Sequence, residues 1–479
     1  MFKRSGVFLL ATVLLGVVMI GILPSILPSD SAVIAQSESS GDDFITYYAD
    51  VQPILAGNCM GCHVEGGIGP FSMEDPAVVQ EAGRFIVEAV QTGVMPPWMP
   101  GEESPAFKDE RSLTQDEIDT IAAWYADDMP LGDPADVVEM AVEIPQVRAD
   151  LTLQMPVAYT ADSSLTDDYR CFLLDPQLTT DRYITGYTVQ PGAKQLVHHV
   201  LLYQISADAR SEAEALDSAD SQPGWQCFGG AGIQRGTDSG TGVAGSVGSW
   251  TPGSLPIFHP EGTGGLLQAN SLIVMQVHYN LHEQPVPDQT TAVFQLEDEG
   301  ADIIALRGMS LVAPVVIPCA PDATSPDCDL ETAIRNEVAE DGQRALRRNV
   351  GLLGLCGRNQ EDYVDQDAAQ VASSCDFTVR EDSLAVAVAA HMHERGQTFI
   401  IERNPDSADA QILLYIPAWD FHWQGRYQYV EPILLNAGDT IRITCTWDNS
   451  DGDRFIFWGE GTADEMCLGG VTLQPVDEG

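Results

Sequence analysis

Only three lysines, Lys3, Lys108 and Lys194, occur in 479 residues, and the 23 basic side chains face 71 acidic ones for a formal net charge of −48. A surface of that sign repels phosphates and excludes nucleic acid as a partner. The acids are spread along the chain with no single dominant tract, which points to a solvated acidic surface suited to a salty medium; attraction of a cationic partner or of copper is the alternative. No internal repeat of short period is present, which excludes an array of small stacked units. Beyond the N-terminus no apolar run approaches membrane-spanning length, which excludes a polytopic helical membrane protein.

What is present begins with Lys3 and Arg4, an apolar run from Val7 to Leu23 and small residues at Val33-Ile34-Ala35. This pattern predicts a signal peptide over 1–35 and export to the periplasm, the exterior or the outer face of a membrane; an uncleaved N-terminal membrane tether is the alternative. Four further segments are expected: a small all-α haem module at 42–130, a Pro/Asp-rich linker at 131–149, and β-sandwiches at 150–305 and 306–479.

Cys59-Met60-Gly61-Cys62-His63 is a C-x-x-C-H motif. Two thiols at this spacing add across haem vinyls, and the following histidine reaches the iron. A dithiol redox pair or half of a zinc site would use the same cysteines, but no second C-x-x-C follows, and dithiol chemistry has no need of the histidine. One covalent haem c is therefore expected on Cys59 and Cys62, with His63 as one axial ligand. Met95, in Gly93-Val94-Met95-Pro96-Pro97-Trp98, resembles the distal methionine loop of small c-type cytochromes and is the expected second ligand; Met99 is its competitor, while Met73 and Met129 are expected in the core. Phe44 to Leu55 predicts a helix interrupted near Pro53, and Thr114-Gln115-Asp116-Glu117 a capping box opening another.

Past the linker the pattern changes to short β-rich runs, such as Tyr183 to Val189, Leu196 to Gln204, Leu272 to Tyr279, Gln411 to Ile416 and Thr440 to Trp447. The Gly/Ser-rich stretch from Gly229 to Gly265 predicts a long surface loop. Of the ten cysteines, eight remain after the haem pair, an even number that leaves no obligatory free thiol and permits many pairings.

Nine histidines are few, and five of those outside the haem motif fall inside apolar β runs, where an imidazole without a partner is costly to bury. His391 and His393 alternate with Ala385, Ala387 and Ala389, so both rings leave one face of a strand and the alanines leave room beside them. His198 and His199 are adjacent, and a regular strand sends them to opposite faces; one metal can hold both only through a twist, a bulge or different ring nitrogens. His278, in Val277-His278-Tyr279, is a third candidate.

His198-His199, the histidine at 278, His391-Met392-His393 and Asp464-Glu465-Met466-Cys467 follow the order of the copper type II, ascorbate-dependent monooxygenases, the group of peptidylglycine α-hydroxylating and dopamine β-monooxygenases, which this chain resembles over about 150 to 475. The resemblance implies two jelly-roll-like β-sandwiches, each with one copper, facing across an open cleft. His198, His199 and His278 would hold the electron-transfer copper; His391, His393 and Met466 would hold the catalytic one. Neutral imidazoles suit both copper oxidation states, and a thioether favours Cu(I). It also implies disulfides Cys171–Cys227 and Cys445–Cys467, and proximity then suggests Cys319–Cys328 and Cys356–Cys375.

The peptidylglycine enzymes place an arginine two residues before the first histidine of H-x-H, where this chain has Ala389, and a tyrosine where it has Gly470; a substrate other than a peptidylglycine is expected. His259, His282 and His422 have no place in the pattern and are expected on the surface, in loops or behind the ligands. The expected activity is hydroxylation of a C–H bond in a small organic substrate with O2, using two copper ions and electrons delivered through the haem from an ascorbate-like reductant or a redox protein. The alternatives are a non-catalytic haem and copper protein that relays electrons or buffers copper, and a sugar- or partner-binding sandwich.

Overall fold

A computed structural model describes residues 44–65, 67, 69–137, 145–227, 230–233, 245–281, 284–298, 300–459, 461 and 463–476. The expected signal peptide or tether at 1–35, and His282, lie outside the described residues. Among the described residues no helix is long and apolar enough to cross a membrane.

The first segment is helical. A π-turn at Tyr47–Val51 runs directly into α1 (Gln52–Asn58), so Pro53 does not interrupt the helix; it occupies the first turn of α1, where the missing N–H costs nothing. The helix α2 (Pro76–Gln91) is capped by the Asp75 carboxylate, which accepts from Ala77 N–H. In α3 (Gln115–Ala126) the capping box forms as predicted, Thr114 and Glu117 each satisfying the other's backbone N–H. Tyr47, Val51, Leu55, Val79, Ile121 and Trp124 close a small core between these helices, with Met73 buried in it and Met129 packed against it. Gly83 makes room for Met129, because a Cβ there would stand 2.4 Å from its Sδ.

The rest of the chain is mostly β. One sheet, in the order β1-β10-β3-β8-β11-β20-β14-β17 with β7 beside β3, contains β1 (Leu151–Gln154), β3 (Arg182–Gln190), β7 (Ile257–Phe258), β8 (Thr263–Leu267), β10 (Thr291–Asp298), β11 (Ile304–Val312), β14 (Ser383–His391), β17 (Arg426–Leu435) and β20 (Leu468–Pro475). A five-stranded sheet contains β5 (Trp225–Gln226), β2 (Asp167–Leu174), β9 (Leu272–Asn280), β4 (Val197–Ile205) and β6 (Gly245–Trp250), in that order. A four-stranded sheet, β13 (Val371–Thr378), β18 (Thr440–Trp447), β15 (Gly396–Arg403) and β16 (Gln411–Ile416), and a short pair, β12 (Val316–Ile317) with β19 (Ile456–Phe457), complete the set.

Phe172, Ile184, Val200, Met275 and Phe294 pack together between the five-stranded sheet and the first half of the long sheet. Val388, Phe399, Ile443 and Trp447 do the same between the four-stranded sheet and the second half. Each fully buried Leu, Ile, Val or Phe contributes about 1.5–3 kcal/mol, so these two layers supply most of the stability. The strand β11 belongs to both halves: Ile304 to Leu306 pair with β8, and Arg307 to Val312 pair with β20.

Two sequence expectations change here. The stretch from Gly229 to Gly265 is not simply a surface loop, because β6, β7 and the start of β8 lie in it and β6 pairs with β4 beside the histidines. Its strands carry little apolar pattern because glycine does the packing: a Cβ on Gly248 would stand 2.9 Å from the Tyr187 ring. The β region also contains helices, the short α4 (Arg210–Ala219) and α5 (Leu330–Leu355), the latter broken at Gly342 (φ 76°) and without a clear apolar stripe.

Four disulfides are formed, Cys171–Cys227, Cys319–Cys328, Cys356–Cys375 and Cys445–Cys467, while Cys59 and Cys62 are free thiols.

Residues 99–108 leave the helical segment as a strap along the second β layer. Gly101 N–H donates to the Tyr415 carbonyl at 2.8 Å, Lys108 N–H to the Gln428 carbonyl at 2.7 Å, and Val430 N–H to the Ala106 carbonyl at 3.0 Å. Phe107 lies 5.3 Å from both the Tyr427 and the Tyr429 ring, and Trp98 5.4 Å from Tyr427.

Candidate metal centres

The first centre lies where β4 meets β9. His199 pairs directly with His278, and the register slips between Val197 and His199. His198 is the extra residue at that irregularity, so the alternation that would separate it from His199 is broken where both rings are wanted. The Nδ1 atoms of His198 and His278 are 3.1 Å apart, and those of His278 and His199 are 3.3 Å apart. Among the described residues these three form a group of ligand atoms within 4.8 Å of one another that could hold a metal ion.

Burial pushes the His198 imidazole down to about 3, and it pushes His199 well below and His278 below the ordinary histidine range. Three neutral rings with converging nitrogens offer lone pairs rather than charge, an arrangement suited to a soft or borderline cation. Asp167 fixes the direction: its Oδ1 accepts from His278 Nε2–H at 2.8 Å, which leaves the lone pair on Nδ1, and Asn280 braces the same oxygen at 3.1 Å. Tyr169 stacks on His278 with ring centroids 4.0 Å apart and planes at 7°.

The second centre lies at the end of β14. The His391 and His393 rings are 5.1 Å apart at 85°. His391 Nδ1–H donates to Gln424 Oε1, and His393 Nδ1–H donates to the Asp464 carbonyl at 3.1 Å, so both tautomers leave the lone pair on Nε2. Burial pushes His391 down to about 3 and lowers His393. Met466 is buried at 3% exposure and is tied to His393 through Glu465, whose Oε2 accepts from both His393 N–H (2.9 Å) and Met466 N–H (3.1 Å). Glu465 also accepts from Arg395 N–H at 2.6 Å and Trp447 Nε1–H at 3.1 Å. Burial pushes its carboxyl up to about 7, against those donors. Sequence reasoning missed Glu465, Asp167 and Gln424; Glu465 stood inside a quoted motif, whereas the other two carry no spacing signal.

The two centres are linked through neighbouring side chains. His391 lies near enough to His199 to lower its basicity. Between them a 3₁₀ turn, Phe421–Trp423, sets rings in sequence: His198 to His422 at 5.9 Å, His422 to Phe421 at 6.0 Å, and Phe421 to His393 at 5.9 Å. His422 is exposed and near the first centre, and His259 is part-buried in the loop that follows β7 on the first β layer.

At the C-x-x-C-H motif, His63 Nδ1–H donates to the Phe71 carbonyl at 3.1 Å, which leaves Nε2 as the ligand nitrogen. Two free thiols one turn apart and an oriented, buried imidazole fit covalent haem. Met95 follows α2 half-buried, its N–H donating to the Ala89 carbonyl at 3.2 Å. Its competitor Met99 is committed elsewhere, buried in the second β layer with its Sδ accepting from Asp420 N–H at 3.4 Å. Cys62 touches the first β layer, because a Cβ on Gly253 would stand 2.8 Å from its Sγ and 3.2 Å from Arg111 Nη1.

Residues 351–472 match the model of the family described as copper type II ascorbate-dependent monooxygenase, C-terminal domain. Tyramine beta-hydroxylase of Caenorhabditis briggsae is 22% identical over 60% of this chain and 42% of its own length. MOXD1 homolog 1 of Drosophila melanogaster is 22% identical over 66% of this chain and 41% of its own. The chain thus spans about two fifths of the length of these curated relatives. Among solved structures, the insecticidal delta-endotoxin Cry8Ea1 of Bacillus thuringiensis overlaps 68% of this chain and 52% of its own at 7% identity and a TM-score of 0.14, too low to carry an argument.

Proposed function

We propose that this protein is an exported, copper-dependent monooxygenase that hydroxylates a C–H bond of a small organic substrate with O2. The observation that carries the reading is the pairing of two unlike histidine centres within one body, one of them inside the segment that matches the monooxygenase family. His198, His199 and His278 would hold one copper through Nδ1. His391 and His393, through Nε2, with Met466 would hold the other. Bound copper supplies O2 activation and hydrogen abstraction at the methionine-bearing centre, with the second electron drawn from the three-histidine centre.

The chain's own residues orient and protect. Asp167 holds His278 with its Nδ1 lone pair inward, Gln424 and the Asp464 carbonyl hold His391 and His393 with Nε2 available, and Glu465 locks the backbone that carries Met466. Trp447 and Met392 pack behind that centre and keep water from its rear. Four disulfides support an exported location.

The helical segment is a cytochrome c-like electron-entry module in this reading, with haem on Cys59 and Cys62 between His63 and Met95. Haem would supply electrons, and an ascorbate-like reductant or a redox protein would reload it. The strap at 99–108 and the contact of Gly253 with Cys62 support this role, because they tether the module to both β layers and raise the effective concentration of donor at the coppers.

Metal and haem analysis of the full chain, followed by a search for products labelled from 18O2, tests the proposal. Two coppers, one haem and label in an organic product are expected. Two coppers and one haem with no oxygenated product would favour the non-catalytic electron carrier. Reduced haem should reoxidise faster under O2 and substrate in the wild type than in Met466→Ala; equal rates would remove the haem from the electron path.

A further inference from the structure

The chain leaves β6 through a turn, Thr251-Pro252-Gly253-Ser254, that is braced to hold one shape. Ser254 N–H donates to the Thr251 carbonyl at 3.0 Å, Thr251 N–H donates to Ser254 Oγ at 3.2 Å, and the two hydroxyl oxygens are 3.0 Å apart. Pro252 fills the second position and Gly253 takes φ +75° at the third, the pattern of a type II turn.

Gly253 is required here for two separate reasons. Its positive φ disfavours any L side chain, and a Cβ there would stand 2.8 Å from Cys62 Sγ and 3.2 Å from Arg111 Nη1. The turn therefore meets the C-x-x-C-H motif backbone to sulfur, with the Arg111 guanidinium packed against the same point. Cys62 Sγ is an atom through which haem would be bonded to the chain.

From this turn the way to the first metal centre is short. Trp250 precedes Gly253 by three residues, at most about 11 Å of chain. Trp250 on β6 pairs with Val200 on β4, and Val200 directly follows His199. His199 pairs with His278, and the Nδ1 atoms of the two rings are 3.3 Å apart. The path is bonded or strand-paired throughout, save for the contact at Cys62. The strap offers the competing path, from Met95 along the chain to Met99, whose Sδ accepts from Asp420 N–H at 3.4 Å, and from Phe421 across 5.9 Å between ring centroids to His393. It is longer in chain, and it begins at an axial ligand rather than at a sulfur bonded to the haem itself. Electron tunnelling weakens steeply with length, which favours the β6 path.

We infer that the Thr251–Ser254 turn is where an electron leaves the C-x-x-C-H segment, that the three-histidine centre is its acceptor, and that Gly253 is the positioning residue at the crossing. The inference rests on the haem and copper reading above and deepens it by naming the point of entry. One electron leaves Fe(II) haem, giving Fe(III), and converts Cu(II) held by His198, His199 and His278 to Cu(I); no bond forms or breaks and no proton moves. The centre at Met466 then receives its electrons by way of the first.

Anaerobic flash reduction of the full chain, carrying haem and Cu(II) and given no substrate, tests this. Haem that has taken up an electron should lose it in a first-order phase independent of protein concentration. The Cu(II) paramagnetic resonance signal that falls with it should be that of the three-histidine centre, identified from His391→Ala protein holding only that copper. His278→Ala should lose the fast phase although Cu(II) remains beside Met466. Gly253→Ala should slow the phase severalfold while the haem potential and the copper spectra stay unchanged, a combination that a merely structural role does not produce. Earlier loss of the Met466-centre signal, a fast phase that survives in His278→Ala, or an undiminished rate in a folded Gly253→Ala overturns the inference. The wild-type signals decide alone if the variants do not fold. No turnover is involved, so transfer to the three-histidine centre without 18O-labelled product defeats only the oxygenase reading, whereas labelled product with entry at the Met466 centre defeats only the exit inferred here.

Discussion

The two histidine centres are assembled from the same side chain, the first across the antiparallel strands β4 and β9 and the second at the end of β14 alone, yet they present opposite ring nitrogens. At the first, Asp167 takes Nε2–H of His278 and the Nδ1 atoms converge. At the second, Gln424 and the Asp464 carbonyl take the Nδ1–H groups and leave Nε2. The hydrogen-bond partner behind each ring, not the histidine itself, decides which nitrogen a metal meets. The first centre gathers three imidazoles; in the proposed reading Met466 adds a thioether to the two imidazoles of the second, a softer set suited to Cu(I) and O2.

The comparison breaks most completely at the second centre. Met466→Ala or His391→Ala should abolish product formation while the three-histidine centre keeps its copper, read as one copper per chain by metal analysis with no label from 18O2. If both coppers were lost together, the centres would not be separable as described. Next comes Glu465→Ala, which leaves the N–H groups of His393, Arg395 and Met466 and the Trp447 indole unsatisfied; a loss of about 3 kcal/mol or more in chemical denaturation is expected, with the second copper weakened before the first.

The first centre should respond less steeply. Asp167→Asn removes the carboxylate that sets the His278 tautomer and should weaken copper there by about 10–100-fold, leaving the Met466 centre unchanged in competition with a chelator. Equal weakening of both sites would show that Asp167 acts on overall stability rather than on His278. The smallest effect belongs to Tyr169→Leu: the ring stacked on His278 contributes about 0.5–1.5 kcal/mol, visible as a modest shift in copper affinity with activity retained at saturating copper.

Legibility in the sequence tracked periodicity and motif. The strands around the histidines announced themselves by apolar runs, the helix α3 by its capping box, and the C-x-x-C-H thiols by spacing. What escaped was what periodicity does not encode. The strand β6 hid in a Gly/Ser-rich stretch because its role is close approach, not burial of its own side chains. The helix α5 hid because its polar sequence has no strong stripe.

By itself the sequence determined which residues were candidates for metal and haem, and its even set of eight cysteines outside the C-x-x-C-H motif left none obliged to be free. Only the tertiary structure decided how they work. The slip in the β4–β9 register brings His198 and His199 to one point although alternation would separate them. Asp167 and Gln424 become partners of His278 and His391 across 111 and 33 residues of chain. Cys62 comes to lie against Gly253, far along the chain. Local pattern fixes which way a side chain leaves its own strand, while a site is made by what approaches from other strands, and that depends on register and packing over distances the local pattern does not carry.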